Sequence, residues 1–241
     1  MKFGVLLKIF RVIGALANGY WRLKTQFRKL NAHQQAREIE NWSRNFLRLI
    51  GVEVRIQGEP AKGPVLMAAN HISWLDINVM LAASHCRFVA KSEIRGWPLI
   101  GTLTTGVGSL YISRESSRDA MRVVHQMAAA LKAGDVLAVF PEGTTGDGQS
   151  LLPFHANLLQ AAISADVPIQ PIALRFLDAA TGQISLSPCY IGDDTLVGSI
   201  WRTLTAPPLL VSVTYGTPEK ANGKTRREWA QSLHATIAAL L

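Results

Sequence analysis

Residues 65–76 read VLMAANHISWLD, and the apolar residues 65–69 at the start of this stretch decide the fold. An apolar run without polar alternation is typical of a strand that is buried on both faces of a sheet. Further short runs of this kind occupy residues 86–90, 110–112, 136–140, 169–174 and 209–215. Such strands occur in parallel sheets that helices cover on both sides, so the pattern predicts an α/β fold.

Helical patterns lie between these runs. Residues 117–132 give the clearest one, with Ser116 and Asp119 as a capping box and Gly134 as the stop. Near the end of the chain, Thr225 and Glu228 form a second box, after which apolar residues recur at helical spacing. Strand and helix alternate without a linker or a repeat. This predicts one domain over residues 51–241, with a mainly parallel or mixed sheet flanked by helices.

Residues 1–50 precede this domain, and we predict that they form amphipathic membrane-anchoring helices. The lysines and arginines of residues 2–29 come before the first acidic residue, Glu38, and apolar residues fill the positions between them. On a helix, a sector of about 80° holds Lys8, Arg11, Asn18 and Arg22, and the remaining surface is apolar. This pattern favours a helix that lies in the headgroup region of a membrane.

Three other structures could be considered for this segment: a spanning helix, a signal peptide and a helix packed on the domain. Lys8 and Arg11 interrupt the apolar run that a spanning helix needs. A signal peptide fits poorly, because charges enter the apolar region and no small-residue cleavage pattern follows. An ordinary amphipathic helix packed on the domain stays open as the alternative to membrane contact.

The overall charge points to an anionic partner. The formal net charge is +8, which suits a membrane surface, a nucleic acid or an acidic carrier protein. A nucleic acid is disfavoured because the excess charge lies on an apolar helix and no aromatic-basic platform is evident. Cys86 and Cys189 lie far apart in apolar stretches, which indicates reduced core residues in a reducing compartment. Metal-ligand spacing is absent from the sequence, so we expect no metal site.

The loop that follows residues 65–69 contains a candidate catalytic pair. His71 comes just beyond the strand, and Asp76 stands five positions later at the start of a predicted helix. Asp76 can accept a hydrogen bond from one ring nitrogen, which leaves the other nitrogen free to act as a base for an alcohol nucleophile. The alternative is that Asp76 caps the helix and His71 is an ordinary loop residue.

A second loop with unusual chemistry follows the run 136–140. It contains Glu142, Gly143 and Thr144, followed by Thr145 and Gly146. Glycines allow a close approach to the backbone, and exposed amides with threonine hydroxyls can bind a phosphate or an oxyanion. A glycine-rich turn, with Glu142 capping a neighbour, is the alternative.

Four blocks of the chain resemble motifs of the glycerolipid acyltransferases, the family that includes the 1-acyl-sn-glycerol-3-phosphate acyltransferases. Residues 70–76 are similar to its NHxxxxD motif, and residues 140–144 to its FPEGT motif. The segment from Lys91 to Arg114 resembles a second block, and residues 167–172 are similar to VPIxPV. Together the blocks span about residues 65 to 175. NHxxxxD followed by FPEGT at this separation is a specific signal.

The resemblance implies roles for individual residues. His71 would be the general base and Asp76 its orienting partner. Arg114, with Lys91, would bind the anionic head group of a lysolipid acceptor, and Glu142, Gly143 and Thr144 would line the acceptor site. The acyl donor would be acyl-CoA or acyl carrier protein, with no other cofactor. The acceptor hydroxyl would attack the thioester directly, and the product from lysophosphatidic acid would be phosphatidic acid. The expected location is peripheral or monotopic on the cytoplasmic face of a cell membrane.

Two departures from the family pattern leave the acceptor open. Ser113 stands where the family commonly has aspartate, and Thr145 stands where it commonly has arginine. A missing arginine removes a bidentate phosphate donor, so lyso-ornithine lipid or another lysolipid is an alternative acceptor. Two alternatives of other classes are a serine lipase or hydrolase, with Ser73 or Ser109 as nucleophile, and a non-catalytic lipid-binding protein. A Gly-x-Ser-x-Gly elbow is absent from the sequence, which disfavours the hydrolase.

Overall fold

The structure, a computed structural model, describes residues 2–112 and 117–241. Within these residues, one sheet is built from β1 (Val52–Gln57), β2 (Val65–Ala69), β3 (Arg87–Lys91), β4 (Leu110–Ile112), β5 (Val136–Val139), β6 (Ile169–Asp178) and β7 (Leu209–Tyr215). The α-helices are α1 (Lys2–Thr25), α2 (Ala32–Ile50), α3 (Asp76–Ala83), α4 (Ile100–Gly106), α5 (Ser117–Lys132), α6 (Gln160–Ala165), α7 (Leu196–Thr205) and α8 (Arg226–Leu240).

The strand order brings the predicted catalytic loops to one edge of the sheet. The order is β1-β7-β6-β2-β5-β3-β4. Neighbours from β6 to β4 pair in parallel, β6 and β7 pair antiparallel, and β1 is parallel to β7. The prediction of a mainly parallel or mixed sheet is therefore confirmed. Because β2, β5, β3 and β4 share a direction, the loops after them leave from the same edge, where α/β folds place their ligand sites.

The central strand β2 shows why the apolar runs do not alternate. Val65, Met67 and Ala69 pack into a core layer with α2 and α3, whereas Leu66 and Ala68 pack into a second layer with α5, α6 and α8. Both faces of the strand are fully covered. Burial on both sides removes the selection for polar residues at every second position.

The helix ends agree with the sequence signals where the structure describes them. Gly51 ends α2 in the left-handed conformation, at φ 84°, which a glycine adopts without the penalty of a Cβ atom. Thr225 and Glu228 form the predicted capping box of α8. The predicted box at α5 involves Ser116, which lies outside the described residues.

Helix α1 has an inward face that packs on the domain and an outward face that does not. Ile9, Val12 and Leu16 contact the core layer beside α2. Phe10 and Ile13, on the opposite side, are 68% and 56% exposed. A helix that packed on the domain alone would present polar residues outward. None of the helices that the structure describes is long and apolar enough to cross a membrane.

The predicted basic sector of α1 is divided between the protein and the solvent. The ammonium group of Lys8 donates to the carbonyl oxygen of Leu204 in α7, at 3.2 Å. Arg22 forms an ion pair with Glu38 of α2, at 2.8 Å. Arg11 is exposed. Lys8 and Arg22 therefore join α1 to neighbouring helices, and only Arg11 is left to the solvent. The basic sector lies on the flank of α1, beside the domain.

Candidate active site

Asn70 fixes the point at which the chain leaves β2. Its side chain is buried and bonds both ways with Leu174 of β6, donating to the carbonyl oxygen at 3.0 Å and accepting from the N–H at 2.7 Å. An asparagine used in this way replaces a pair of ladder bonds, so β2 ends while its position against β6 is kept. The next residue, His71, therefore begins the loop at a defined place.

His71 and Asp76 form the pair that the sequence predicts. The ring Nδ1 of His71 lies 2.7 Å from Oδ2 of Asp76. The same oxygen accepts the N–H groups of Ile72 and Ser73, at 2.7 and 2.9 Å. An oxygen that accepts two backbone donors also accepts from Nδ1, so the proton of the neutral ring is on Nδ1 and the lone pair is on Nε2. The side chain of Asp76 is fully buried, whereas that of His71 is 20% exposed, so part of the imidazole is open to solvent.

Phe140 holds the plane of the imidazole. The two rings are stacked with centroids 4.0 Å apart and an angle of 8°, and Phe88 lies behind Phe140 at 5.8 Å. The ring of His71 is thus fixed by the hydrogen bond at one edge and by an aromatic face. The sequence pattern predicts Phe140 as the end of a strand, and its only functional signal is that it begins the block 140–144 that resembles FPEGT.

Glu142 connects two loops through backbone N–H groups. Its Oε1 accepts from the N–H of His71 at 2.6 Å, and its Oε2 accepts from the N–H of Leu152 at 2.8 Å. The side chain is buried. Burial raises the pKa of this carboxyl above its usual range, and the two N–H donors oppose that rise. Both oxygens face the protein, so the geometry makes Glu142 a support of His71.

Gly143 and Thr144 follow at the surface of the same loop. Gly143 has a positive φ of 71°, and a Cβ atom here would lie 2.8 Å from Cδ2 of His155. Glycine is therefore required both by conformation and by space. Three residues after Gly143, the N–H of Gly146 donates to the carbonyl oxygen of His71 at 2.8 Å. Thr144 is exposed, and its role in binding an acceptor stays a prediction.

The segment Pro188–Tyr190, which precedes α7, contacts both loops. Its Pro188 carbonyl oxygen accepts from the fully buried hydroxyl of Ser73, at 2.6 Å. The N–H of Tyr190 donates to the carbonyl oxygen of Ile72 at 3.2 Å, and the hydroxyl of Thr145 donates to the carbonyl oxygen of Tyr190. We call Pro188–Tyr190 the strap. It joins the loop of His71 to the loop of Glu142.

Helix α7 holds the strap in turn. The guanidinium of Arg202 donates to the carbonyl oxygen of Cys189 at 2.7 Å and pairs with both oxygens of Asp194, at 2.7 and 3.0 Å. The hydroxyl of Ser199 donates to the same carbonyl oxygen, at 3.2 Å. Neither the strap nor Arg202 is predicted by the sequence patterns. Every residue has a backbone carbonyl oxygen, so the sequence does not show which of them accept bonds from other loops. Arg202 has no sequence feature that distinguishes it from other arginines in helices.

A family model described as Acyltransferase matches residues 51–175, more than half of the chain. The chain belongs to the acyltransferase family. It is similar to the lyso-ornithine lipid O-acyltransferase of Pseudomonas aeruginosa, with 34% identity over 83% of this chain and 76% of the relative. It is also similar to the 1-acyl-sn-glycerol-3-phosphate acyltransferase of Neisseria gonorrhoeae, with 37% identity over 69% of this chain and 64% of that relative.

Two further relatives span nearly the whole chain. The lyso-ornithine lipid O-acyltransferase of Brucella abortus is 30% identical over 98% of this acyltransferase and 94% of its own length. The crystal structure of the 1-acyl-sn-glycerophosphate acyltransferase of Thermotoga maritima covers 96% of the chain and is itself covered to 95%, with a TM-score of 0.69 and 18% identity. At that identity the likeness concerns the fold.

The other predicted binding residues lie partly outside the described region. Lys91 ends β3 at the same sheet edge as His71, and its side chain is outside the description. Arg114 lies wholly outside the described residues. Their roles therefore stay predictions.

The alternative nucleophiles of this acyltransferase are poorly placed for attack. Ser73 is fully buried, and its hydroxyl donates to the strap and accepts from the N–H of Leu75. Ser109 precedes β4 and so lies at the sheet edge opposite to His71. Both cysteines are free and buried. Burial raises the pKa of the Cys86 thiol and raises that of Cys189 to about 11, so both thiols are protonated at neutral pH. Among the described residues, no group of three or more metal-ligating side chains could hold an ion.

Proposed function

We propose that this acyltransferase moves a fatty acyl group from a thioester donor to the free hydroxyl of lysophosphatidic acid, which gives phosphatidic acid. The observation that carries the proposal is the exposed imidazole of His71 with its Nδ1 held by the buried carboxylate of Asp76. The proposal is supported by relatives named 1-acyl-sn-glycerol-3-phosphate acyltransferase.

The chemistry follows from the free lone pair on Nε2. As the acceptor oxygen attacks the thioester carbonyl carbon, Nε2 of His71 takes the hydroxyl proton. Asp76 stabilises the imidazolium that forms. The C–S bond then breaks, the acyl group stays on the acceptor oxygen as an ester, and the imidazolium returns its proton to the departing thiolate. This direct transfer needs no protein nucleophile, in agreement with the burial of Ser73 and of both cysteines.

A lyso-ornithine lipid is the second candidate acceptor. The hydroxyl of Thr145 is bonded to the strap, so this position offers no cation to a phosphate head group. Two relatives of this name match larger shares of the chain than the Neisseria relative does. An acceptor with an amino-acid head group would need less positive charge from this loop.

The donor would be acyl-CoA or acyl carrier protein, and the enzyme would act at the cytoplasmic surface of a membrane. The support for the membrane partner is the outward face of α1, where Leu6, Phe10 and Ile13 are exposed. Apolar side chains in this number on one helix face are stable when they enter the boundary between headgroups and acyl chains. The basic residues of the N-terminal segment would add attraction to anionic lipids.

The test is transfer from each donor to each acceptor, with the products separated by mass. We expect wild-type protein to form phosphatidic acid or diacylated ornithine lipid, and a folded His71→Ala variant to lose about a hundredfold or more of the activity. Release of free fatty acid without an ester product would support the hydrolase alternative instead. Lipid binding without either product would support the non-catalytic alternative.

A further inference from the structure

Among the described residues, three tryptophans have exposed side chains. Trp21 of α1, Trp97 before α4 and Trp201 of α7 are each about half exposed, whereas Trp229 is fully buried. Helix α1 contacts both α4 and α7. Leu23 of α1, for example, packs so closely on α4 that no Cβ atom would fit at Gly106. The three exposed indoles are thus carried by α1 and by segments next to it.

Helix α7 has an apolar outer face of its own. Val197 is 77% exposed and Trp201 is 55% exposed. The two residues are four positions apart, so they lie on the same side of the helix. On the other side Ser199 and Thr203 are buried, and Ser199 bonds to the strap. Most of the surface of Val197 and about half of that of Trp201 are open to solvent.

Helix α7 lies beside α1. The bond from Lys8 of α1 to the carbonyl oxygen of Leu204 joins the two helices directly. Exposed apolar side chains are therefore present on two helices that contact each other. Indole rings are favoured where an apolar medium meets water. The cations Arg11 and Lys24 on the exposed part of α1 complement an anionic lipid surface.

We propose that Val197 and Trp201 form a second lipid contact, so that the enzyme rests on the membrane through both α1 and α7. The proposal rests on the membrane location given under the proposed function, and it adds a helix to that location. The added contact would be made by the same helix that supports the active-site loops. The inner face of α7 holds the strap through Ser199 and Arg202, and the strap holds the loops of His71 and Glu142.

The first experiment measures partition of the full chain onto vesicles of phosphatidylcholine and phosphatidylglycerol by co-sedimentation. The variant Val197→Ser/Trp201→Ser should bind at least about tenfold more weakly than wild type, because it loses most of the apolar area that the α7 contact would bury. The matched control is Met121→Ser, which removes a side chain that is 62% exposed on α5, away from the proposed surface. It should bind within about twofold of wild type.

Activity on detergent-dispersed acceptor separates a lipid contact from a folding defect. The double variant should keep wild-type turnover there and lose it on vesicles. If it bound vesicles as wild type does, the α7 contact would be wrong while the membrane location stood. If wild-type protein did not sediment with vesicles, the membrane location itself would be wrong, and the α7 contact with it.

A second measurement does not depend on a polar substitution. Lipids brominated on their acyl chains quench the emission of tryptophans that enter the bilayer. Trp201→Phe keeps an aromatic side chain on α7 and removes one such reporter, so the quenched fraction of the emission should fall below that of wild type. An unchanged quenched fraction would place Trp201 outside the lipid and overturn the proposal.

Discussion

Two regions of the molecule depart from the rule that polar side chains are exposed and apolar side chains are buried. One is the sheet edge that carries His71, and the other is the outer side of α1 and α7. At the edge, Asn70, Asp76 and Glu142 are polar and buried. On the helices, Phe10 and Trp201 are apolar and exposed. Each reversal costs free energy unless the surroundings compensate it. Backbone N–H groups compensate the first, whereas only a medium other than water would compensate the second.

The largest effect should come from the base of the buried site. His71→Ala removes the group that takes the acceptor proton, and general-base help is worth about 10² to 10⁴ in rate. Asp76→Asn removes the negative charge that stabilises the imidazolium and should cost about 10² or more. Initial rates of acyl transfer at saturating donor measure both.

Thermal unfolding provides the control for these variants, because Asp76 also bonds the N–H groups of Ile72 and Ser73. A folded His71→Ala protein with near-normal turnover would contradict the mechanism. If Asp76→Asn lost activity while His71→Ala kept it, the carboxylate of Asp76 would have a structural role.

A substitution of Glu142 tests whether this buried carboxylate affects catalysis by holding the backbone of His71 and not by contacting the substrate. In Glu142→Gln one of the two N–H donors, that of His71 or that of Leu152, meets an amide NH₂ in place of an acceptor. The backbone of His71 then shifts, and we expect kcat to fall by about tenfold to a hundredfold with a smaller change in the KM of the acceptor. A change confined to KM would instead mean that Glu142 touches the acceptor.

The same variant makes a prediction about pH. Burial raises the pKa of Glu142, so the folded protein holds this proton more tightly than the unfolded chain does. The carboxyl contributes stability below its ordinary pKa of about 4.3, and this contribution is lost as the pH rises through the raised value. Glutamine does not titrate. The Tm of wild type minus that of Glu142→Gln should therefore decrease as the pH rises across this interval.

The outer face of α1 tests the other half of the comparison. Removal of residues 1–24 would also strip Ile9, Val12 and Leu16 from the core, so a truncation confuses folding with binding. Phe10→Ser/Ile13→Ser changes only outward side chains. We expect about a tenfold loss of activity on vesicles and little change on detergent-dispersed acceptor. Equal activity on vesicles would mean that α1 is not the anchor.

The sequence predicted most where a local pattern has one physical cause. Burial on both faces allowed the bounds of β2 to be predicted to the residue, and a spacing of five predicted the contact between His71 and Asp76. The strap was not predictable. Ser73 bonds a carbonyl oxygen 115 positions away, and neither residue type nor spacing indicates such a bond.

Helix α1 shows a second limit. Its periodicity predicted an apolar and a basic side, but not which of them faces the domain. The structure turns the basic flank partly inward, where Lys8 bonds α7 and Arg22 pairs with Glu38. Only tertiary packing decides this orientation, because it depends on acceptors that α2 and α7 provide.

Thr145 gives the smallest expected effect and bears on the choice of acceptor. Thr145→Arg adds a guanidinium beside the site and removes the hydroxyl bond to the strap. A charge pair near a protein surface is worth about 1 kcal/mol at a solvated site, or about fivefold in affinity. If the acceptor phosphate lies near this position, kcat/KM for lysophosphatidic acid should rise by that factor and kcat/KM for lyso-ornithine lipid should fall, because its head group carries a cationic amine. Thr145→Val is the matched control, since it removes the hydroxyl without adding charge and should lower both values alike. Equal values for Thr145→Arg and Thr145→Val on both acceptors would mean that this position only holds the strap, and the choice between the two lysolipids would then depend on other residues of the site.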